Sequence, residues 1–185
     1  MRKDLVLLLL LTLTFLLTGS CASSPSGVDS DAPQRPPAGS MEIHGNLAQV
    51  MRGILFPNSN VIFAAQSINP ADVKPGADAS TSTDPIASTY GGWMAVENSG
   101  LALAESANLL MTPGRTCQNG KPVPLQNSDW AGFVQELRTA GMTAYKAAQS
   151  KNQDNILMAA DAVTTACSHC HDKYREKPNE ADRCM

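Results

Sequence analysis

Two thiols and an imidazole, set into the most regular helical pattern of the chain, constrain it more than any other feature. Ile156, Ala160, Val163, Cys167, Cys170 and Tyr174 follow one another at intervals of three and four, the spacing that lines up one face of an α-helix. Inside that series lies Cys167-Ser168-His169-Cys170-His171, a Cys-x-x-Cys-His sequence. This is the attachment signature of haem c, and its spacing has a chemical reason. Each thiol forms a thioether with one vinyl group of the porphyrin, and the imidazole after the second Cys is delivered to the iron as an axial ligand. His169, two residues before His171, points away from the iron and is expected to be exposed.

Two other uses of the thiols fit less well. A thioredoxin-like Cys-x-x-Cys opens a helix after a strand, whereas this one lies far into a C-terminal helical pattern with no βαβ signal nearby. A zinc site needs two further ligands at ordered spacing, and Cys184 alone is a poor candidate.

Three more helical patterns precede the motif. The first starts near Ser40, a plausible N-cap, and carries Ile43, Leu47, Val50, Met51, Ile54 and Leu55 on one face. Pro57 interrupts it as an end or a kink before Val61, Ile62 and Phe63 resume the pattern. The second covers roughly Tyr90 to Leu110, with Trp93, Val96, Gly100, Leu103, Ala107 and Leu110 aligned, and Pro113 and Gly114 stop it. The third begins near Ser128 and aligns Trp130, Phe133, Leu137, Gly141, Ala144 and Ala148. Pro178 closes the fourth. Residues 69–89 form a long connection to which no element is assigned. With no strand pattern and only 5% aromatic residues, the expected fold is all-α: an antiparallel four-helix bundle with haem c attached to the C-terminal helix. The Ala and Gly on inward faces let helices approach closely and leave a modest core that a haem would complete.

The N-terminal residues read as targeting. Arg2 and Lys3 precede an apolar run from Leu5 to Leu17, so residues 1–20 are expected to be a cleaved signal peptide. Leu17-Thr18-Gly19-Ser20-Cys21 resembles a bacterial lipoprotein signal, which would make Cys21 a lipid-bearing N-terminus; plain secretory cleavage near Ser20 or Ala22 is the alternative. Residues 21–39, rich in Pro, Ser, Ala, Gly and Asp, read as a flexible tether. Residues 40–178 form the haem domain and 179–185 a tail. The expected location is the periplasm or the outer face of a bacterial membrane. The net charge of −3, without a basic stripe, excludes a nucleic-acid partner. Of five cysteines, one fits the anchor and two the haem. The remaining Cys117 and Cys184 are either a disulfide, as an oxidising compartment favours, or two free thiols.

From the motif onward the chain, Cys167-Ser-His-Cys170-His171-Asp-Lys-Tyr174-Arg175, resembles the class II c-type cytochromes, the cytochrome c-prime and cytochrome c556 group, over roughly Ser40 to Pro178. That family places the haem motif in the last helix, with an aromatic residue and an Arg three and four positions after the haem His. The resemblance implies that Tyr174 packs at the haem edge or in the core, and that Arg175 pairs with a propionate, shields the iron, or only balances the helix end. It also implies a choice at the sixth iron position. A Met from the first helix, here Met51, gives a low-spin electron carrier; an apolar side chain there leaves iron open to nitric oxide or carbon monoxide. His44, two turns before Met51, is the competing ligand. The implied function is one-electron transfer with a redox partner protein, not enzymatic catalysis, with gas binding as the alternative and a homodimer as a possible assembly. The Pro after Met51, the long loops and the two extra cysteines depart from the family pattern.

Overall fold

The first helix is capped six residues beyond Ser40, at Asn46. In the computed structural model, which describes residues 41–184, Asn46 Oδ1 accepts from the Gln49 amide at 3.0 Å while Gln49 Oε1 accepts from the Asn46 amide at 2.9 Å. This reciprocal pair satisfies two donors that a helix start leaves over. The signal peptide (1–20), the tether (21–39), the lipid site Cys21 and the cap at Ser40 lie outside the described residues.

Helix α1 (Leu47–Val50) runs directly into a π-helical turn (Met51–Leu55) and then into α2 (Phe56–Ala64), with right-handed helical backbone at each junction. Pro57 therefore does not end the helix, but its winding widens just before the ring. A proline has no amide hydrogen and crowds the carbonyl four residues back. The wider turn just before it, in which the Phe56 amide donates to Met51 O, accommodates the ring at the second position of α2. Asn58 Nδ2 donates to Ile54 O at 2.7 Å and Ser59 Oγ to Phe56 O at 2.9 Å.

The other three helices are α3 (Trp93–Leu110), α4 (Ser128–Ser150) and α5 (Gln153–Tyr174). The connection from α4 to α5 is two residues long. Lys151 takes the left-handed conformation that ends α4, and Asn152 Oδ1 caps α5 by accepting from Asp154 and Asn155 at 2.8 and 3.2 Å. Helix α5 ends at Tyr174, before Pro178, where the Arg175 and Glu176 amides both donate to His171 O at 2.8 and 2.9 Å. The connection before α3, which the sequence leaves without an element, holds two short 3-10 turns, Ala79–Thr81 and Pro85–Ala87, the second burying Ile86.

The four helical runs, 47–64, α3, α4 and α5, pack into an all-α domain consistent with a four-helix bundle. Its tightest contact is between α3 and α4. A Cβ on Gly100 would stand 2.5 Å from the Tyr145 backbone nitrogen, and one on Gly141 2.6 Å from that of Ala104. Only glycine permits that approach. Buried Val96, Leu103, Ala107, Trp130, Leu137, Ala144, Ile156 and Val163, all on the faces read from spacing, form the core. Trp130 Nε1 donates to Leu110 O at 3.2 Å, which satisfies its one polar atom at full burial.

Cys117 and Cys184 form a disulfide, with Cα atoms 4.8 Å apart. It joins the loop between α3 and α4 to the tail after α5. No helix among the described residues is long and apolar enough to cross a membrane.

Candidate functional site

At the end of the domain where α5 finishes, the four helical runs diverge around a cavity of about 280 Å3. All six residues singled out from the sequence line it: Met51, Cys167, Cys170, His171, Tyr174 and Arg175. Cys167, Cys170 and His171 share a face because positions i, i+3 and i+4 of a helix lie one above another. Leu47 and Leu55 from the first run, Leu103 from α3, and Phe133, Val134 and Leu137 from α4 supply an apolar surround. A second, smaller-walled hollow of about 290 Å3 between α2 and α5 shares Phe56, Ser59, Cys167, His171 and Arg175 with the first.

Burial sets the protonation of the motif. Cys167 and Cys170 carry free thiols, each half-buried. Loss of solvent pushes the Cys170 thiol up to about 12, with nearby Cys167, Asp129 and Glu136 adding to the effect. Burial raises Cys167 too, and Arg175 partly offsets this. The same loss of solvent, with the Arg175 charge beside it, lowers His171. At neutral pH the site therefore presents two neutral thiols and a neutral imidazole with a free electron pair.

Tyr174 forms a wall of the cavity. Its ring meets Trp130 edge-on at 5.0 Å and Phe133 at 6.2 Å. Its hydroxyl donates to Asp129 Oδ1 at 2.6 Å and accepts from Asn127 Nδ2 at 3.1 Å. The hydroxyl, with Lys173 Nζ 3.5 Å from the other carboxylate oxygen, holds Asp129 below the ordinary carboxylate range. Arg175 Nε donates to Glu176 Oε1 at 2.5 Å, and this charge lowers the Glu176 pKa.

The other histidines lie elsewhere. His169 is exposed, with Nδ1 2.9 Å from Glu136 Oε2 on α4. His44 precedes α1 in a non-helical segment, is exposed, and stands 3.8 Å from Glu42. It does not share a helix face with Met51, since the helix begins at Leu47, and it does not line the cavity. Cys184, the spare thiol of a zinc reading, is consumed in the disulfide. Among the described residues no three Cys, His, Asp or Glu side chains form a set for a bare metal ion.

Several cavity residues carry no functional assignment from sequence, Trp130, Phe133 and Arg52 among them. Trp130 and Phe133 appear there only as members of a helical face. Arg52 gives no signal, since successive residues of an α-helix stand about 100° apart; yet Met51 and Arg52 both reach the cavity from the π turn. Cys184 also lines the cavity, so the disulfide is part of its wall. Comparison of the chain with protein-family models, curated protein sequences and solved structures found no match.

Proposed function

We propose that this chain is an exported monohaem c-type cytochrome of the class II kind, an antiparallel four-helix bundle whose haem passes single electrons to and from a redox partner protein. The observation that carries the reading is the meeting of Cys167, Cys170 and His171 with Met51 in one largely apolar cavity, Met51 from the first helical run and the other three from the last. Their donor chemistry fits haem c. The two thiols and the imidazole occupy one helix face, and the rest of the wall is mostly aliphatic and aromatic side chains, as a porphyrin face requires, with Arg52, Ser59 and Arg175 as its polar members. When bound, haem supplies an iron that alternates between ferrous and ferric states by one electron.

The chain's own residues do the rest. Cys167 and Cys170 would hold the group by thioethers, each thiol adding across one vinyl double bond with sulfur on one carbon and hydrogen on the other, so that nothing leaves. His171, kept neutral by burial, would hold the iron through a ring nitrogen. Met51 would hold the iron from the first helical run through its thioether, which would favour the reduced state relative to a second imidazole. Tyr174 and Phe133 exclude water from the cavity edge. Export with a lipid on Cys21 places the domain at the outer face of a bacterial membrane, and pairing of two bundles is compatible with the fold.

A second reading, reversible binding of nitric oxide or carbon monoxide at an open iron, draws on one observation. Apart from Met51, the α1 and π-turn side chains Leu47, Ala48 and Leu55 bring no iron ligand to the cavity. Visible spectra of the purified protein, with and without carbon monoxide, separate the two. A low-spin ferric spectrum with a thioether charge-transfer band, lost in Met51→Leu, is expected for the electron carrier. A high-spin spectrum that shifts with the gas assigns the second reading, and a colourless protein from a haem-attaching host rejects both.

A further inference from the structure

The loop between α3 and α4, residues 111–127, touches both walls of the cavity. On the side of the first helix, Thr116 O accepts from the Leu47 amide at 2.8 Å, at the start of α1. Gln118 Oε1 accepts from Arg52 Nη2 at 2.9 Å, on the π turn itself. Just before Thr116 stands Arg115, only 6% exposed. Its Nη1 donates to Gly45 O, just before the cap, and its Nε to Leu109 O at 3.0 Å. A guanidinium is costly to bury. Here two carbonyls from separate elements receive it, and so it ties the start of the first helix to the end of α3.

On the side of α5 the same loop holds the tail. Cys117 is bonded to Cys184, whose amide donates to Tyr174 O at 2.8 Å. Asn119 Nδ2 donates to Ala181 O at 2.9 Å and Arg183 O at 2.7 Å, and Lys121 Nζ pairs with Asp182 at 3.2 Å. The loop thus spans from the turn that carries Met51 to the helix end that carries His171.

We infer that this disulfide-closed loop is the positioning element of the cavity, with Arg115, Gln118 and the Cys117–Cys184 bond holding the π turn in register with the Cys167–His171 face. The inference deepens the cytochrome reading and rests on it for one of its two readouts. None of these residues touches the reacting atoms; they act through Met51 and Arg52.

The test uses the full chain, as wild type, as the Cys117→Ser/Cys184→Ser variant and as Gln118→Ala, which keeps the disulfide. Native-state amide exchange is read first. Release of the loop is expected to raise exchange about tenfold or more over Leu47–Leu55 and 175–184, while the interiors of α3 and α4 stay protected. Gln118→Ala is expected to raise it in the π turn alone. The second readout is the rate at which carbon monoxide binds the reduced haem protein, which is expected to increase in the double variant whether Met51 or nothing occupies the sixth position. A uniform rise in exchange would mean that the bond contributes only global stability and would overturn the inference. Unchanged exchange overturns it as well, and so does a local rise with no change in gas entry. If the wild-type protein holds no haem, the cytochrome reading fails, and the exchange result alone then decides whether the loop positions the turn.

Discussion

Tyr174 links the cavity to the acid–base behaviour of the surface around it. Its ring is buried against Trp130 and Phe133, and its hydroxyl lowers the pKa of Asp129. A carboxyl group whose pKa is lower in the folded than in the unfolded chain stabilises the fold above its unfolded pKa, and that contribution fades as pH falls through the folded value. Tyr174→Phe is therefore expected to lower the thermal midpoint at pH 7, with the gap from wild type closing in acid below the ordinary carboxylate range. Thermal melts of both proteins from pH 7 down to about pH 3 check this. A gap that stays constant across that range would mean the hydroxyl acts by packing alone. In Cys167, Cys170 and His171 the spacing of residue types carried the chemistry, and these residues were legible in the sequence for that reason. Arg52 and Arg115 were not legible, because their roles come from carbonyl and amide partners far away in the chain.

At the scale of the helix, the π turn decides which side chains face the cavity. It holds one residue more than an α-helical turn needs, a frequent device at functional sites. Deleting Gly53, an exposed position with open space around it, is expected to return the run to α-helical winding. That rotates α1 and Met51 by about 100° against α2. The expected result is a folded protein, judged by circular dichroism, that no longer shows a Met–iron spectrum. Retention of that spectrum would show that Met51 does not depend on the turn. The four helical faces were readable because burial repeats at three and four residues. The π turn was not: Pro57 announces an interruption but not whether the chain ends, kinks or widens. The later start at Asn46 escaped for a related reason, since Ser40 and Asn46 are both acceptable caps and tertiary contacts select between them.

Across the whole molecule, stability is divided between a tight α3–α4 pair and the outer elements tied to it. Gly100→Val places a side chain where the α4 backbone already stands. It is expected to cost at least about 1–3 kcal/mol, read as a lower urea midpoint; an unchanged midpoint would show that the helices can part without loss. The disulfide acts differently. It closes a separation of 67 residues, for which restricting the unfolded chain accounts for about 4 kcal/mol. Cys117→Ser/Cys184→Ser is expected to lose about 2–4 kcal/mol in urea unfolding, and a loss below that range would mean the reduced chain keeps residual structure. The pairing was open to inference by cysteine arithmetic, once one cysteine is set aside for an anchor and two for the Cys-x-x-Cys-His motif. The mooring of both cavity walls to the loop it closes was not, because irregular backbone leaves no periodic trace in a sequence. The bond also changes the connectivity of the polypeptide. Cys117 to Cys184 is a covalent ring that contains α4 and α5 entire, including the Cys-x-x-Cys-His motif and the exposed turn at Lys151. A protease that cuts once at that turn opens the ring into two chains still joined by the Cys117–Cys184 bond and releases no fragment, so the motif stays attached to the first three helices until the disulfide is reduced.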